Sequence, residues 1–153
     1  MLRQLLAGSI ISICNIIIHA LVMTVVVRVA NVTSEKYTSR PSLLVISVMI
    51  ATVIVLMGAH VCEVAVWSLG YALLDAARPG TDLMYFAFVN YTTLGYGDIT
   101  PVDRWLLLGP MTAMNGVLMF GWSTAVIFEV LRRTMSQANL TAASTVSDTH
   151  LRG

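Results

Sequence analysis

Long apolar runs separated by short polar breaks organise this chain, and their lengths fit a membrane better than a soluble core. Three stretches, Leu5 to Val27, Leu43 to Ala72 and Trp105 to Leu131, each reach the roughly 20 helical residues needed to cross a bilayer. A fourth, Asp82 to Thr93, would rise only about 18 Å as a helix and cannot span. Thr81 or Asp82 can cap its N-terminus, and Tyr85, Phe86, Phe88 and Tyr91 give it a packing surface. The pattern predicts an all-α membrane protein with three transmembrane helices and a short re-entrant helix between the second and third. Irregular backbone after such a helix is tolerable at membrane depth only where protein buries it or it lines a water-filled path.

Composition agrees with the pattern. Of 153 residues, 57% are hydrophobic and 11% charged, and mean hydropathy is +0.79, outside the range of ordinary soluble domains. A net charge of +1 indicates no nucleic-acid partner. The two cysteines, Cys14 and Cys62, both lie in apolar stretches, which points to packed thiols rather than a disulfide framework or zinc motif. No nucleophile and base stand at useful spacing, so an enzyme is not expected, and no cofactor is implied.

The short helix leads directly into Thr93-Leu94-Gly95-Tyr96-Gly97-Asp98. Thr-x-Gly-Tyr-Gly-Asp resembles the signature of the potassium-channel selectivity filter, in which an entering ion exchanges its water for stacked rings of backbone carbonyls. Successive carbonyls can face one axis only if the backbone leaves its usual basins, as Gly95 and Gly97 permit. Thr93 can add a hydroxyl oxygen to its carbonyl, Tyr96 is expected to turn outward and brace the loop against the short helix, and Asp98 to stand at the outer mouth. The order helix, short helix, Thr-x-Gly-Tyr-Gly-Asp, helix resembles the two-helix pore module of the tetrameric potassium-channel superfamily over roughly Leu43 to Arg133. The resemblance implies K+ held at Thr93, Leu94, Gly95 and Tyr96, with Gly97 completing the filter. Leu94 replaces the commoner valine, and Val89 stands where some members carry an acid four residues before the filter threonine. One filter loop per chain against a cage of four implies a homotetramer, each chain partnered by three identical subunits. The helix before Leu43 is additional to the minimal module.

The predicted organisation is therefore residues 1–41 as an N-terminal transmembrane helix with a cytoplasmic loop, 42–133 as the pore domain, and 134–153 as a disordered cytoplasmic tail rich in Ser, Thr and Ala. With Asp98 outside, positive charge should gather between the first two helices and after the third. Arg28, Lys36 and Arg40 stand there against Glu35, and Arg132 and Arg133 follow the third helix. The expected location is the cell membrane, multi-pass, with the N-terminus outside and the C-terminus in the cytoplasm. Asp75, Asp82, Asp98 and Asp103 against Arg78 and Arg104 make the outer side mildly acidic, which would concentrate cations. A signal peptide is the competing account of the first stretch, but its apolar run exceeds a usual h-region.

Polar residues within the helices are the remaining candidates. His60 and Glu63, three apart, share a face and lie about 27 Å along the helix from Ser42, at filter depth; ionisable groups there default to a functional hypothesis. They are expected to hydrogen-bond behind the filter or short helix, as filter support or a pH sensor. A metal site with Cys62 is disfavoured because Cys62 points to another face. Asn15 and His19, four apart on the first helix, are expected to contact another helix. On the third helix Pro110 could introduce a bend, Gly116 and Gly121 serve either as hinges or as close-packing positions, and Asn115 either faces an inner cavity or bonds to the short helix. Glu129, about 36 Å along the helix from Trp105, either rings the inner mouth or pairs with Arg132 or Arg133. No helix carries arginines at every third position, so a voltage sensor of the usual kind is not expected. The function these features indicate is passive, potassium-selective conduction across a lipid bilayer. The competing account is a non-selective cation channel, or a non-conducting membrane scaffold whose loop merely resembles a filter.

Overall fold

A computed structural model describes residues 1–36 and 41–151, with side chains described for 1–28, 43 and 45–139. Arg40 and the side chains of Glu35 and Lys36 lie outside the described residues. Every regular element among the described residues is helical: α1 (Leu2–Lys36), α2 (Pro41–Leu73), α3 (Leu83–Tyr91), a 3-10 turn (Asp103–Trp105) and α4 (Leu108–Leu151). Three of them, α1, α2 and α4, are long and apolar enough to cross a membrane. Their outward faces carry large exposed apolar side chains, among them Ile10, Ile17, Ile50, Ile54, Val117 and Phe128, a surface suited to an apolar surrounding rather than to water.

Element boundaries follow local chemistry. Asp82 caps α3, its carboxylate accepting from the amides of Met84 at 3.0 Å and Tyr85 at 3.1 Å. α2 ends where Asp75 turns left-handed (φ +47°), with Asp75 N–H donating to Ala72 and Ala76 N–H to Tyr71, the paired bonds of a Schellman cap. Pro110 lies in the first turn of α4, where its missing amide leaves no helical bond unmade, so the bend anticipated there has no cause. The backbone of α4 is helical from residue 134 to Leu151. No proline or glycine falls between Gly121 and Gly153, so a helix nucleated by packing propagates through weak formers.

The chain forms two compact units. One comprises Met1–Leu21 and Gly58–Trp122. Its core gathers Val64, Trp67, Tyr71, Phe86, Ala87, Tyr91, Leu108 and Met119, with Ile11 and Ile16 of α1 packed against them. Here the carboxamide oxygen of Gln4 accepts from Leu107 N–H at 2.9 Å, satisfying an amide at the start of α4. The other unit comprises Val22–Met57 and Ser123–Gly153; Val26, Val48 and Val130 form its core with Val22, Met49 and Val126.

Candidate functional site

The loop after α3 is shaped by the way that helix ends. Thr92 caps it, Thr93 N–H donates to Asn90 and Leu94 N–H to Val89, so the helix closes in a second Schellman motif. That motif requires a left-handed residue, usually glycine. Here it is Thr93, at φ +59°, a branched residue in a conformation such residues rarely adopt. Strain of this kind persists where the surroundings over-determine the backbone, characteristically at functional sites. Gly95 (φ +57°) and Gly97 (φ +77°) repeat the left-handed geometry, whereas Leu94 and Tyr96 have negative φ. The reversal at every second residue undoes the normal alternation of an extended chain, in which neighbouring carbonyls point opposite ways. In the sequence only the glycines mark left-handed positions; Thr93 is set apart only by its place two residues past the helix.

The loop has little covering from the rest of the chain. Residues 93–98 are all exposed, Tyr96 to 68%, so the brace expected between Tyr96 and α3 is not made within one chain. Asp98 is held instead: the Tyr85 hydroxyl, from the first turn of α3, donates to its carboxylate at 3.0 Å. Beyond the loop, Val102 N–H donates to the Ala76 carbonyl at 2.9 Å, pinning the returning chain to the turn that follows α2.

At the end of α3, around Tyr91, lies a buried polar cluster. Glu63 and His19 are fully buried and His60 nearly so. One Glu63 oxygen pairs with His19 Nδ1 at 2.6 Å. The other accepts from the Tyr91 hydroxyl and pairs with His60 Nδ1 at 3.2 Å. His60 Nδ1 also lies 3.0 Å from the Tyr91 hydroxyl. The expected bonding of His60 and Glu63 to the short helix is thus present, through Tyr91, its last residue. Four side chains converge from three helices; the contact of Asn15 and His19 with another helix is present, through Glu63 of α2, while Tyr91 had shown only a packing surface in the sequence. Ligand atoms of His19, His60 and Glu63 lie within 4.8 Å of one another, a set that could hold a metal ion. Each pair involving Glu63 stands at hydrogen-bonding separation, so shared protons account for the arrangement. Cys62 is exposed, on a different face, as is Cys14. Their expected burial fails because apolar sequence does not distinguish a protein core from a lipid-facing side.

The remaining polar candidates resolve into contacts. Asn115 is buried, and its side-chain oxygen accepts from Asn15 Nδ2 at 3.0 Å and Trp67 Nε1 at 2.9 Å. It therefore joins α1, α2 and α4, and neither of the two roles expected for it, cavity lining or bonding to the short helix, describes these contacts. Asn15 Nδ2 also donates to the Glu63 carbonyl at 3.2 Å. Tyr71 pairs with Thr112 at 2.5 Å and accepts from Asn90 at 3.2 Å, tying α2 and α4 to α3. Gly116 is a close-packing position: a β-carbon there would collide with the Tyr91 backbone, whereas one on Gly121 would meet nothing within 4 Å. Glu129 forms ion pairs with both Arg132 (2.9 Å) and Arg133 (2.5 Å), the pairing alternative of the two expected for it.

No curated protein and no solved structure matches the chain. A family model described as an ion channel matches residues 43–133, a segment that takes in nearly all of α2, then α3, the left-handed loop and the first half of α4. The chain belongs to this family of ion channels, of the two-transmembrane pore type, and carries α1 as an additional helix outside the matched segment.

Proposed function

We propose that the protein is a potassium-selective channel in which four copies of the 93–97 loop surround one axis and conduct K+ passively. The observation that carries this reading is the left-handed backbone at Thr93, Gly95 and Gly97. With alternate residues reversed, the carbonyls of Thr93, Leu94, Gly95 and Tyr96 can turn to one side and replace an ion's hydration shell. The exposure of the whole loop, with Tyr96 at 68%, supports a tetramer: neighbouring subunits would supply the covering that one chain lacks. Asp98, held by Tyr85, would stand at the outer mouth, with K+ the permeant ion.

The same reading sets the protein in the cell membrane with its N-terminus outside and its C-terminus in the cytoplasm. Arg28, Arg132 and Arg133 are exposed and would then lie on the inner side, as the positive-inside rule requires. Glu63 and His60 would act as filter support, holding Tyr91 at the base of α3.

Purified protein in liposomes tests the proposal. A K+ gradient should drive a flux that excludes Na+ and is blocked by Ba2+. Equal Na+ and K+ flux would reject selectivity, and absence of flux from a verified tetramer would favour a scaffold.

A further inference from the structure

We infer that α1 is a functional part of the filter's support, and that His19 acts as a positioning residue, holding Glu63 in the orientation in which Glu63 holds Tyr91. This rests on the reading of residues 93–97 as a potassium filter.

The two carboxylate oxygens of Glu63 divide their work. One is 2.6 Å from His19 Nδ1 on α1, and the other takes the Tyr91 hydroxyl at the end of α3. A carboxylate is planar, so a partner fixed on one oxygen sets the direction of the other. One turn before His19, Asn15 grips the same residue by its backbone, donating to the Glu63 carbonyl at 3.2 Å, and fixes the level of α1 through Asn115 at 3.0 Å. Glu63 is thereby held from α1 at both its main chain and its side chain.

Tyr91 is well placed to transmit that restraint. It closes α3 and is fully buried. Its backbone rests against Gly116 of α4 with no room for a β-carbon, and the left-handed Thr93 follows two residues later. A rotation of the Tyr91 side chain would disturb a helix end whose last bonds, from Thr93 and Leu94 back to Asn90 and Val89, shape the first filter residue. Loss of His19 removes a partner from a buried carboxylate, which then competes differently for Tyr91 and His60. His19 and Asn15, the α1 contributors to this arrangement, lie outside the segment shared with the family, since both precede residue 43.

The test compares full-length tetramers in liposomes, reading the K+/Na+ permeability ratio beside thermal stability. His19→Ala should lower the ratio about tenfold, as expected for loss of one hydrogen bond to a charged group. His19→Asn, whose amide can stand near Nδ1, should retain most of the ratio, whereas His19→Gln, which reaches to the Nε2 position, should not. Gln4→Ala, also on α1 but bonded to Leu107, should leave the ratio unchanged even if the tetramer melts earlier. In the cycle with Tyr91→Phe, the double variant should be no less selective than the weaker single one. An unchanged ratio in His19→Ala and His19→Gln overturns the inference, as do losses that multiply in the double variant. A selectivity loss on treating the wild type with EDTA would also overturn it, in favour of a bound cation at His19, His60 and Glu63. A wild type that passes Na+ as readily as K+ removes the filter reading and this inference together, while a selective wild type with indifferent His19 variants removes only the latter.

Discussion

Gly116 of α4 lies directly against the backbone of Tyr91: a β-carbon there would overlap the Tyr91 carbonyl oxygen and stand 2.9 Å from its carbonyl carbon. The last turn of the short helix is thus seated on α4 by the absence of a side chain. Gly116→Ala must move one helix or the other, and overpacking of this kind costs about 1–3 kcal/mol. Gly121→Ala meets nothing within 4 Å and gains helix propensity, so its stability should hold or rise by up to about 1 kcal/mol. Thermal unfolding of the two variants in detergent gives the comparison, and equal stabilities would refute the packing role.

Asn115 accepts two hydrogen bonds from side chains on two other helices, Asn15 and Trp67. Asn115→Leu leaves both donors buried without that acceptor, at about 1–3 kcal/mol for each unsatisfied group. A lowered melting temperature with unfolding still cooperative is the expected result. A variant as stable as the wild type would mean that neither bond forms.

Gly95 and Gly97 occupy left-handed backbone, where a β-carbon would meet nothing at Gly97 and only the Thr93 carbonyl oxygen, at an ordinary 3.8 Å, at Gly95, so their constraint is conformational rather than steric. An alanine at either position costs about 1–2 kcal/mol in that conformation and favours a loop turned away from it. Either variant should lose most K+ flux in liposomes while melting close to the wild type. Undiminished flux from both would show that the left-handed backbone is not required.

Asp82 holds two amides at the start of α3. Asp82→Ala should destabilise the unit that contains α3 by about 1 kcal/mol, whereas Asp82→Asn and Asp82→Ser should recover most of the loss. Failure of Ser and Asn to rescue would separate the effect from capping.

Tyr85 donates to Asp98, and this bond holds the hydroxyl's pKa above its ordinary value of 10.0, because ionisation would set a phenolate against a carboxylate. A group whose pKa is raised by folding contributes stability that is complete below the ordinary value and is lost as pH rises through the higher one. The outer loop should therefore loosen only in strongly alkaline solution, and Tyr85→Phe should abolish that alkaline step. Flux measured from pH 8 to above pH 11 reads it; a step that persists in Tyr85→Phe would assign it elsewhere.

Much of the fold is legible locally. Apolar length alone places α1, α2 and α4, because a membrane helix satisfies its own backbone and needs only enough greasy residues to span. The start of α3 is legible in Asp82, since a cap acts within three residues. The spacing of His60 and Glu63 shows that they share a face, but not that the face meets Tyr91. What escapes the sequence is choice among equivalent faces. Asn15, His19 and Asn115 sit on helices apolar on every side, so no periodic stripe marks the inward one. The exposed Cys14 and Cys62 show the same ambiguity from the other direction.

The number of membrane-length helices, the short helix with its cap, and a loop whose glycines allow left-handed backbone can all be read from the residues and their near neighbours. That Thr93 shares that backbone, that Gly116 seats Tyr91, and that His19 of the added helix meets Glu63 emerges with the fold alone. Those relations join residues far apart in the chain, and close packing between helices, which no local pattern encodes, selects them.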